Sequence, residues 1–461
     1  MKRTLGIGVL VLFLACAGGR SAAAQQASPA PLTLREAVGL ALAHNPELAA
    51  SRDQAQAARA QVNQARAGWF PRLDASQGFT RGDNPIYVFG SLLTQRQFTA
   101  ANFNLSRLNA PTPLDNFQTQ ITGQMSLFDS GRTHFREQGA KKMATAADYE
   151  TDQARQDLIL RVVRAYYGVV VAQEDQKAAE QALETAKANQ QRVQTMTQAG
   201  LVVSSDLLSA EVFRAQMQDR EIRAQNAVEL ARLNLGRELG LGSGAMPQVA
   251  GKLAQPAAAA RDAAAWEKIA LAERPALRAA EIEAQAAGAN RKLAKADFGP
   301  QIGLFADIER DAEALGGPSG TNWTAGARID LNLFAGGAQK SRLAQAAALE
   351  SEAGHQLEWL RSGIELEVRQ AYLDGKAAAE RAAAAHDAVD QAADSLRIIQ
   401  NRYQAGLVTI TELLRAQTAQ LDAETGYLAA LHDWQVARAE LDRAAGRLTL
   451  QSALLGQGGN P

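Results

Sequence analysis

Five histidines (His44, His134, His355, His386 and His432) and one cysteine, Cys16, are the residues best suited to acid–base, nucleophilic or metal chemistry. A zinc hydrolase would set two histidines around a glutamate as HExxH, and a serine hydrolase would seat its nucleophile in GxSxG. Neither pattern occurs, no Cys-His cluster occurs, and no glycine loop is laid out to hold phosphate. An enzymatic reading has no residue cluster to rest on. Two acids stand out by position instead. Asp206 and Glu412 each follow a Gly-Leu-Val turn by a few residues, where the positive end of a helix dipole favours a carboxylate by about 0.3–1 kcal/mol.

The surrounding chain narrows what such residues can serve. With 48 Lys+Arg against 49 Asp+Glu, the net charge is -1, unlike the basic stripe of a nucleic-acid binder. Mean hydropathy is -0.22, and beyond residue 15 no apolar run reaches the ~18 residues of a spanning helix. Lys2 and Arg3 precede an apolar stretch from Leu5 to Ala15, and Ala22-Ala23-Ala24 offers small residues before Gln25. Residues 1–24 therefore read as a secretory signal peptide. Cys16 is discarded with it or accepts a lipid, although Phe13-Leu14-Ala15 fits a lipoprotein signal poorly. A mature chain without cysteines in an oxidising compartment must be stabilised by packing or assembly.

The chain is written twice. Leu127-Phe128-Asp129-Ser130-Gly131 matches Leu333-Phe334-Ala335-Gly336-Gly337, and Gln198-Ala199-Gly200-Leu201-Val202 matches Gln404-Ala405-Gly406-Leu407-Val408, both at an offset of 206. Asn45-Pro46 and Phe70-Pro71 match Arg274-Pro275 and Gly299-Pro300 at 229, which places an insertion at Arg81 to Pro113. Each repeat reads as short helix, helix, strand, loop, strand, very long helix, glycine turn and return helix. The first covers 32–240, with strands at about 70–81 and 115–128, a long helix over 132–198 and a return helix over 206–240. A linker spans 241–261. The second covers 262–447, with strands at about 299–309 and 321–334 and helices over 341–404 and 411–446; residues 448–461 read as a flexible tail.

The strands show period two. Gln118, Gln120, Thr122 and Gln124 alternate with Phe117, Ile121 and Met125, while Trp323, Ala325, Ala327 and Ile329 alternate with Thr324 and Arg328. All four run about 10–12 residues, the length a tilted strand needs to cross a bilayer. Four strands left open in lipid would expose unpaired edges, so they must close with strands of identical chains. Two chains give a barrel filled by side chains; three give twelve strands and room for water. On the return helices Ala210, Met217, Ala224 and Ala231 recur every seven residues, as do Ala416, Ala423, Ala430 and Ala437, with Leu414, Leu421 and Leu428 in a second row. Two apolar rows suit a helix packed on both sides, as in a ring.

This plan, with the turns Gly200-Leu201-Val202-Val203-Ser204-Ser205-Asp206-Leu207 and Gly406-Leu407-Val408-Thr409-Ile410-Thr411-Glu412-Leu413, resembles the TolC-like outer-membrane efflux family over roughly Leu32 to Arg447. The resemblance implies an α+β membrane protein. Duplicated long α-hairpins would form a trimeric α-barrel tunnel, and four strands per chain would contribute to a 12-stranded outer-membrane β-barrel. It implies a passive channel of a tripartite efflux or type I secretion system in the outer membrane of a Gram-negative bacterium, surrounded by lipid and without cofactor, metal or nucleic acid. Its partners would be a periplasmic adaptor and an inner-membrane pump of RND or ABC type. The adaptor would meet the tips at Gly200, Leu201, Val202, Ser205, Leu207, Gly406, Leu407, Val408, Thr411 and Leu413. Asp206 and Tyr403 match an acid and a tyrosine that hold such tips closed, Glu412 matches a lumen-facing acid that threefold symmetry turns into a carboxylate ring, and the next acid of that pattern falls on Arg415. The basic partner of the lock falls on Val408. A periplasmic coiled-coil structural or adaptor protein without a pore is the alternative, and it leaves four bilayer-length strands unexplained.

Overall fold

A computed structural model describes residues 31–456 apart from residue 243 and residues 257–261. The expected signal peptide with Cys16, and residues 457–461 of the tail, lie outside the described residues. Thr33 opens the first helix through a capping box: its hydroxyl accepts from Glu36 N at 3.3 Å while the Glu36 carboxylate accepts from Thr33 N at 2.9 Å. The first repeat then runs α1 (Leu34–His44), α2 (Pro46–Arg66), β1 (Arg72–Gly82), α3 (Pro85–Thr94), α4 (Leu105–Asn109), β2 (Leu114–Phe128), α5 (Arg132–Gln198) and α6 (Ser204–Glu238). The second runs α7 (Ala263–Glu273), α8 (Pro275–Ala296), β3 (Gln301–Ala312), β4 (Ser319–Asp330), α9 (Ala338–Gln404) and α10 (Ile410–Ala444). The offset of 206 carries α5 onto α9 and α6 onto α10 residue for residue. At 67 residues, each long helix spans about 100 Å.

Proline fixes several boundaries. Pro71 and Pro300 cannot donate to a ladder, so β1 and β3 start at residues 72 and 301, just inside the approximate bounds of 70 and 299. Because Gln301 pairs with Asp330, β4 loses its partner there and ends at 330, short of the expected 334. Helix α9 begins three residues before the expected 341, behind Gly337 at φ 84°, as α5 begins behind Gly131 at φ 86°.

The strands form one antiparallel sheet in the order β1-β2-β3-β4. Ile121 stands opposite Ala75 on one side and Ile308 on the other. One face carries Leu73, Phe79, Ile121, Leu304, Ile308, Trp323 and Ile329, all exposed in the single chain. Polar residues on that face find partners within it: Thr119 Oγ1 donates to Gln77 Oε1 at 2.5 Å, and Arg310, opposite Thr119, donates to Ser319 Oγ at 2.8 Å. A bulge between Ser126 and Phe128 turns Phe128 out beside Ile302. The other face is mainly polar, with Phe305 set in it between Gln124 and Gly326.

The largest core surrounds the middle of α5, where Ile159, Val162, Val163, Tyr166 and Val169 are fully buried against α1. Two segments read as connections complete it. Val249 of the linker pairs in parallel with Leu32, and Leu448, Leu454 and Leu455 are buried in the same cluster. The tail from 448 to 456 is therefore docked, contrary to the flexible tail expected; its leucines find an apolar surface made by residues some 290 positions away. The insertion carries two helices and an aromatic cluster, Phe89–Phe98 at 4.8 Å and Phe98–Phe103 at 5.1 Å.

Candidate functional site

The two hairpin tips are one turn made twice. Gly200 and Gly406 take φ of 70° and 74°. Their N–H groups donate to Thr197 O and Tyr403 O at 3.0 Å, and the following Leu201 and Leu407 donate to Met196 O and Arg402 O at 2.9 Å. These are the paired bonds of a Schellman cap, which requires a left-handed residue. Leu201 and Leu407 stand 71% and 68% exposed, and Val203 and Leu208 extend that apolar surface. Ser205 and Thr411 are exposed; Val202, Leu207 and Val408 are half-buried. Leu413 departs from the expected contact surface. It is 2% exposed because it continues the buried stripe Ile410, Leu413, Leu421 along the inner side of α10, so it packs the tip and presents nothing to a partner.

Asp206 and Glu412 are each the third residue of their helix, where both satisfy the dipole. Tyr403 sits among Val193, Ala210 and Ile410, and its hydroxyl has no hydrogen-bond partner among the described residues. Burial pushes the Tyr403 pKa up, the Asp206 carboxylate pushes it the same way, and the Arg192 guanidinium opposes both. The fold thus gathers Asp206, Tyr403 and Arg192 between the two hairpins. Arg192 was not singled out from the sequence, where the basic partner fell on Val408; it lies on α5, 211 positions from Tyr403, and only its place two turns before Gly200 hinted at the tip. Glu412 and Arg415 are exposed, and neither forms an ion pair among the described residues.

The polar face of the sheet has its own charge pattern. Near the long helices Arg72 pairs with Asp74 and Arg328 with Asp330, both at 2.8 Å. Farther along β3 the acids meet only neutral donors: Thr122 Oγ1 donates to Asp307 at 2.7 Å, Gln118 Nε2 to Glu309 at 3.1 Å, and Asn116 Nδ2 to Asp311 at 2.7 Å. This leaves three carboxylates in a row on one strand without a cationic partner among the described residues. No group of acids, histidines or cysteines that could hold a metal occurs among the described residues, and none of their helices is long and apolar enough to cross a membrane. The outward face of the sheet is the surface suited to lipid, and the polar face is suited to a water-filled lumen.

Comparisons with known proteins agree with this geometry. The chain is 27% identical over 421 residues to protein CyaE of Bordetella pertussis, covering 90% of this chain and 84% of that protein. It is 24% identical to the alkaline protease secretion protein AprF of Pseudomonas aeruginosa, covering 90% and 85%. Among solved structures, the fold matches the CmeC outer membrane channel of Campylobacter jejuni with a TM-score of 0.76 at 18% identity, covering 92% of this chain and 88% of that one. It matches the MtrE outer membrane channel of Neisseria gonorrhoeae with a TM-score of 0.71 at 21% identity, covering 90% of each. The family model for outer membrane efflux proteins matches residues 37–241 and 266–447, and the chain, with its duplicated hairpins and two-faced sheet, belongs to that family.

Proposed function

We propose that three copies of this chain form the passive outer-membrane conduit of a tripartite efflux or type I secretion system. In this reading the four strands of each copy supply one third of a twelve-stranded barrel, and the hairpins supply one third of the tunnel that continues it into the periplasm. The observation that carries the reading is the two-faced sheet: it is apolar on one side, polar on the other, and open at both edges, so it is stable in lipid only when closed with other copies. The paired tips, with Leu201, Val203, Leu208 and Leu407 exposed, are the surface for a periplasmic adaptor, which couples the conduit to an inner-membrane pump of RND or ABC type. Asp206, Tyr403 and Arg192 act as the latch between hairpins, and Glu412 with Arg415 borders the opening. Relatives named for protein secretion and for efflux fit a conduit whose cargo is chosen at the pump. The test is purification from outer membranes followed by planar-bilayer recording. Heat-modifiable trimers that conduct ions are expected, and a detergent-free monomer without conductance would reject the assignment in favour of a pore-less periplasmic coiled coil.

A further inference from the structure

The segment between β1 and β2, absent from the second repeat, folds over the polar face of the sheet at the end remote from the long helices. The glycines of that face report the side. A Cβ on Gly82 would meet the Tyr87 ring at 3.3 Å, and one on Gly320 would strike Thr94 O. Hydrogen bonds fasten the segment there: Gln95 Nε2 donates to Asn116 Oδ1 at 2.9 Å, Asn322 Nδ2 donates to Thr94 O at 3.2 Å, and Arg96, at φ 57°, donates to Thr321 O at 3.0 Å. Tyr87 OH adds a bond to Thr80 O at 2.9 Å. With Phe89 and Phe98 packed edge to face within it, the segment is a small folded cap and not a free loop.

Part of its remaining surface is apolar, beside exposed polar residues such as Arg96 and Arg107. Ile86 is 85% exposed, Leu105 74%, Phe103 67% and Leu93 50%, on the lumen side of a channel mouth where neither lipid nor the rest of this chain covers them. Twelve strands spaced ~4.8 Å apart and tilted ~40° enclose a cylinder about 24 Å across. Three helices of about 10 Å diameter need a circle of about 21 Å, and the wall's inward side chains take up more than the ~3 Å left between backbones, so three caps inside that cylinder are pressed together. Resting on the trimeric barrel proposed above, we infer that the three caps pack on one another through Ile86, Leu93, Phe103 and Leu105, and that the pore carries a closure at its outer mouth in addition to the periplasmic tip. The partner of this apolar surface is a second and a third copy of the same cap.

The experiment uses the full chain with Cys16, its sole cysteine, replaced by serine. Single cysteines at Ile86, Leu93, Phe103 and Leu105 are oxidised in intact outer membranes, and disulfide-linked dimers are expected at one or more of them. Separately, Gln124→Cys, on the polar face below the cap, is labelled from outside the cell with a bulky polyethylene-glycol maleimide. Ile86→Ser with Leu93→Ser is expected to speed that labelling several-fold. Absence of linked dimers at all four positions, or labelling of Gln124→Cys that the double variant leaves unchanged, overturns the closure. Heat-modifiable trimers, read in every variant, report assembly independently of the cap.

Discussion

Asp206 shows how one side chain can serve its own helix and act on the neighbouring hairpin. As the third residue of α6, Asp206 is stabilised by the helix dipole, and its charge also acts on Tyr403 of the other hairpin. Replacing Asp206 by Ala and Tyr403 by Phe should leave the helices intact and loosen the contact between them. Single-channel conductance in planar bilayers is expected to rise, more in the double variant than in either single one; an unchanged double variant would remove the latch. Glu137 makes a different kind of contact at the top of α5. Lys141 at 2.8 Å, the Trp69 indole N–H at 2.9 Å and Arg66 at 3.2 Å all engage its carboxylate and pull its pKa from 4.5 to about 2. A carboxylate whose folded pKa is depressed contributes stability above its unfolded pKa and loses it as pH falls. The advantage of the native chain over Glu137→Gln in trimer melting should therefore be full above about pH 4.5 and fade towards about pH 2.

Glycines with one backbone conformation have different work to do in different elements. At the tips, a Cβ on Gly200 or Gly406 would meet nothing within 4 Å, so valine there costs only the left-handed strain, about 1–2 kcal/mol, and distorts the surface proposed to meet the adaptor. Export should drop while trimers persist. Gly240 and Gly446, at φ 71° and 76°, end the return helices where each repeat folds back on itself. A Cβ on Gly240 would strike His44 O, and one on Gly446 would lie 2.7 Å from Arg274 Cα. Beside them Asn45 Nδ2 donates to Glu238 O at 2.9 Å and Arg274 donates to Ala444 O at 3.2 Å, so the two repeats reach one joint with different residues. Alanine at Gly240 or Gly446 should cost about 2–5 kcal/mol through strain and overlap together, read as loss of folded trimers on unheated gels. The same elements mark what the sequence could show. The long helices were legible because a fixed offset, prolines and glycine turns bound them locally. The docking of Leu448, Leu454 and Leu455 was not, because a short leucine-containing tail looks alike whether or not a distant surface receives it. Arg192 was hidden for a related reason, having no local relation to Tyr403. The helix α3 did carry a local start signal, since Asn84 caps Ile86 N at 3.0 Å ahead of Pro85 at the first position, but ten residues without a polar face gave no period to confirm it.

A single chain leaves an apolar row on α9 and an apolar face of the sheet uncovered, and the proposed trimer in its membrane would cover the first with a neighbouring helix and the second with lipid. On α9, Trp359, Leu366 and Leu373 recur every seven residues and remain 80%, 67% and 56% exposed. A coiled-coil row of this kind inside the periplasm needs a neighbouring helix, and at ~25 cal/mol per Å² of apolar surface the burial of these three side chains is worth several kcal/mol per interface. Serine at all three positions should lower the temperature at which trimers dissociate, without changing the helical content of the protomer. On the sheet, the second surface faces lipid, and period two makes a sharp test of the face. Ile329 points outward, paired with Ile302, whereas Thr324 lies in the polar phase opposite Asp307. Lysine at Ile329 carries a charge into the hydrocarbon and should cost about 2–4 kcal/mol per chain. Threefold repetition then multiplies the cost in each particle, so trimers in the outer membrane should become scarce. Lysine at Thr324 enters water beside an unpaired carboxylate, so assembly should be retained while the cation preference of the barrel falls in reversal-potential measurements. If both lysines impaired assembly equally, the sheet would be buried on both faces and could not be the wall of a pore.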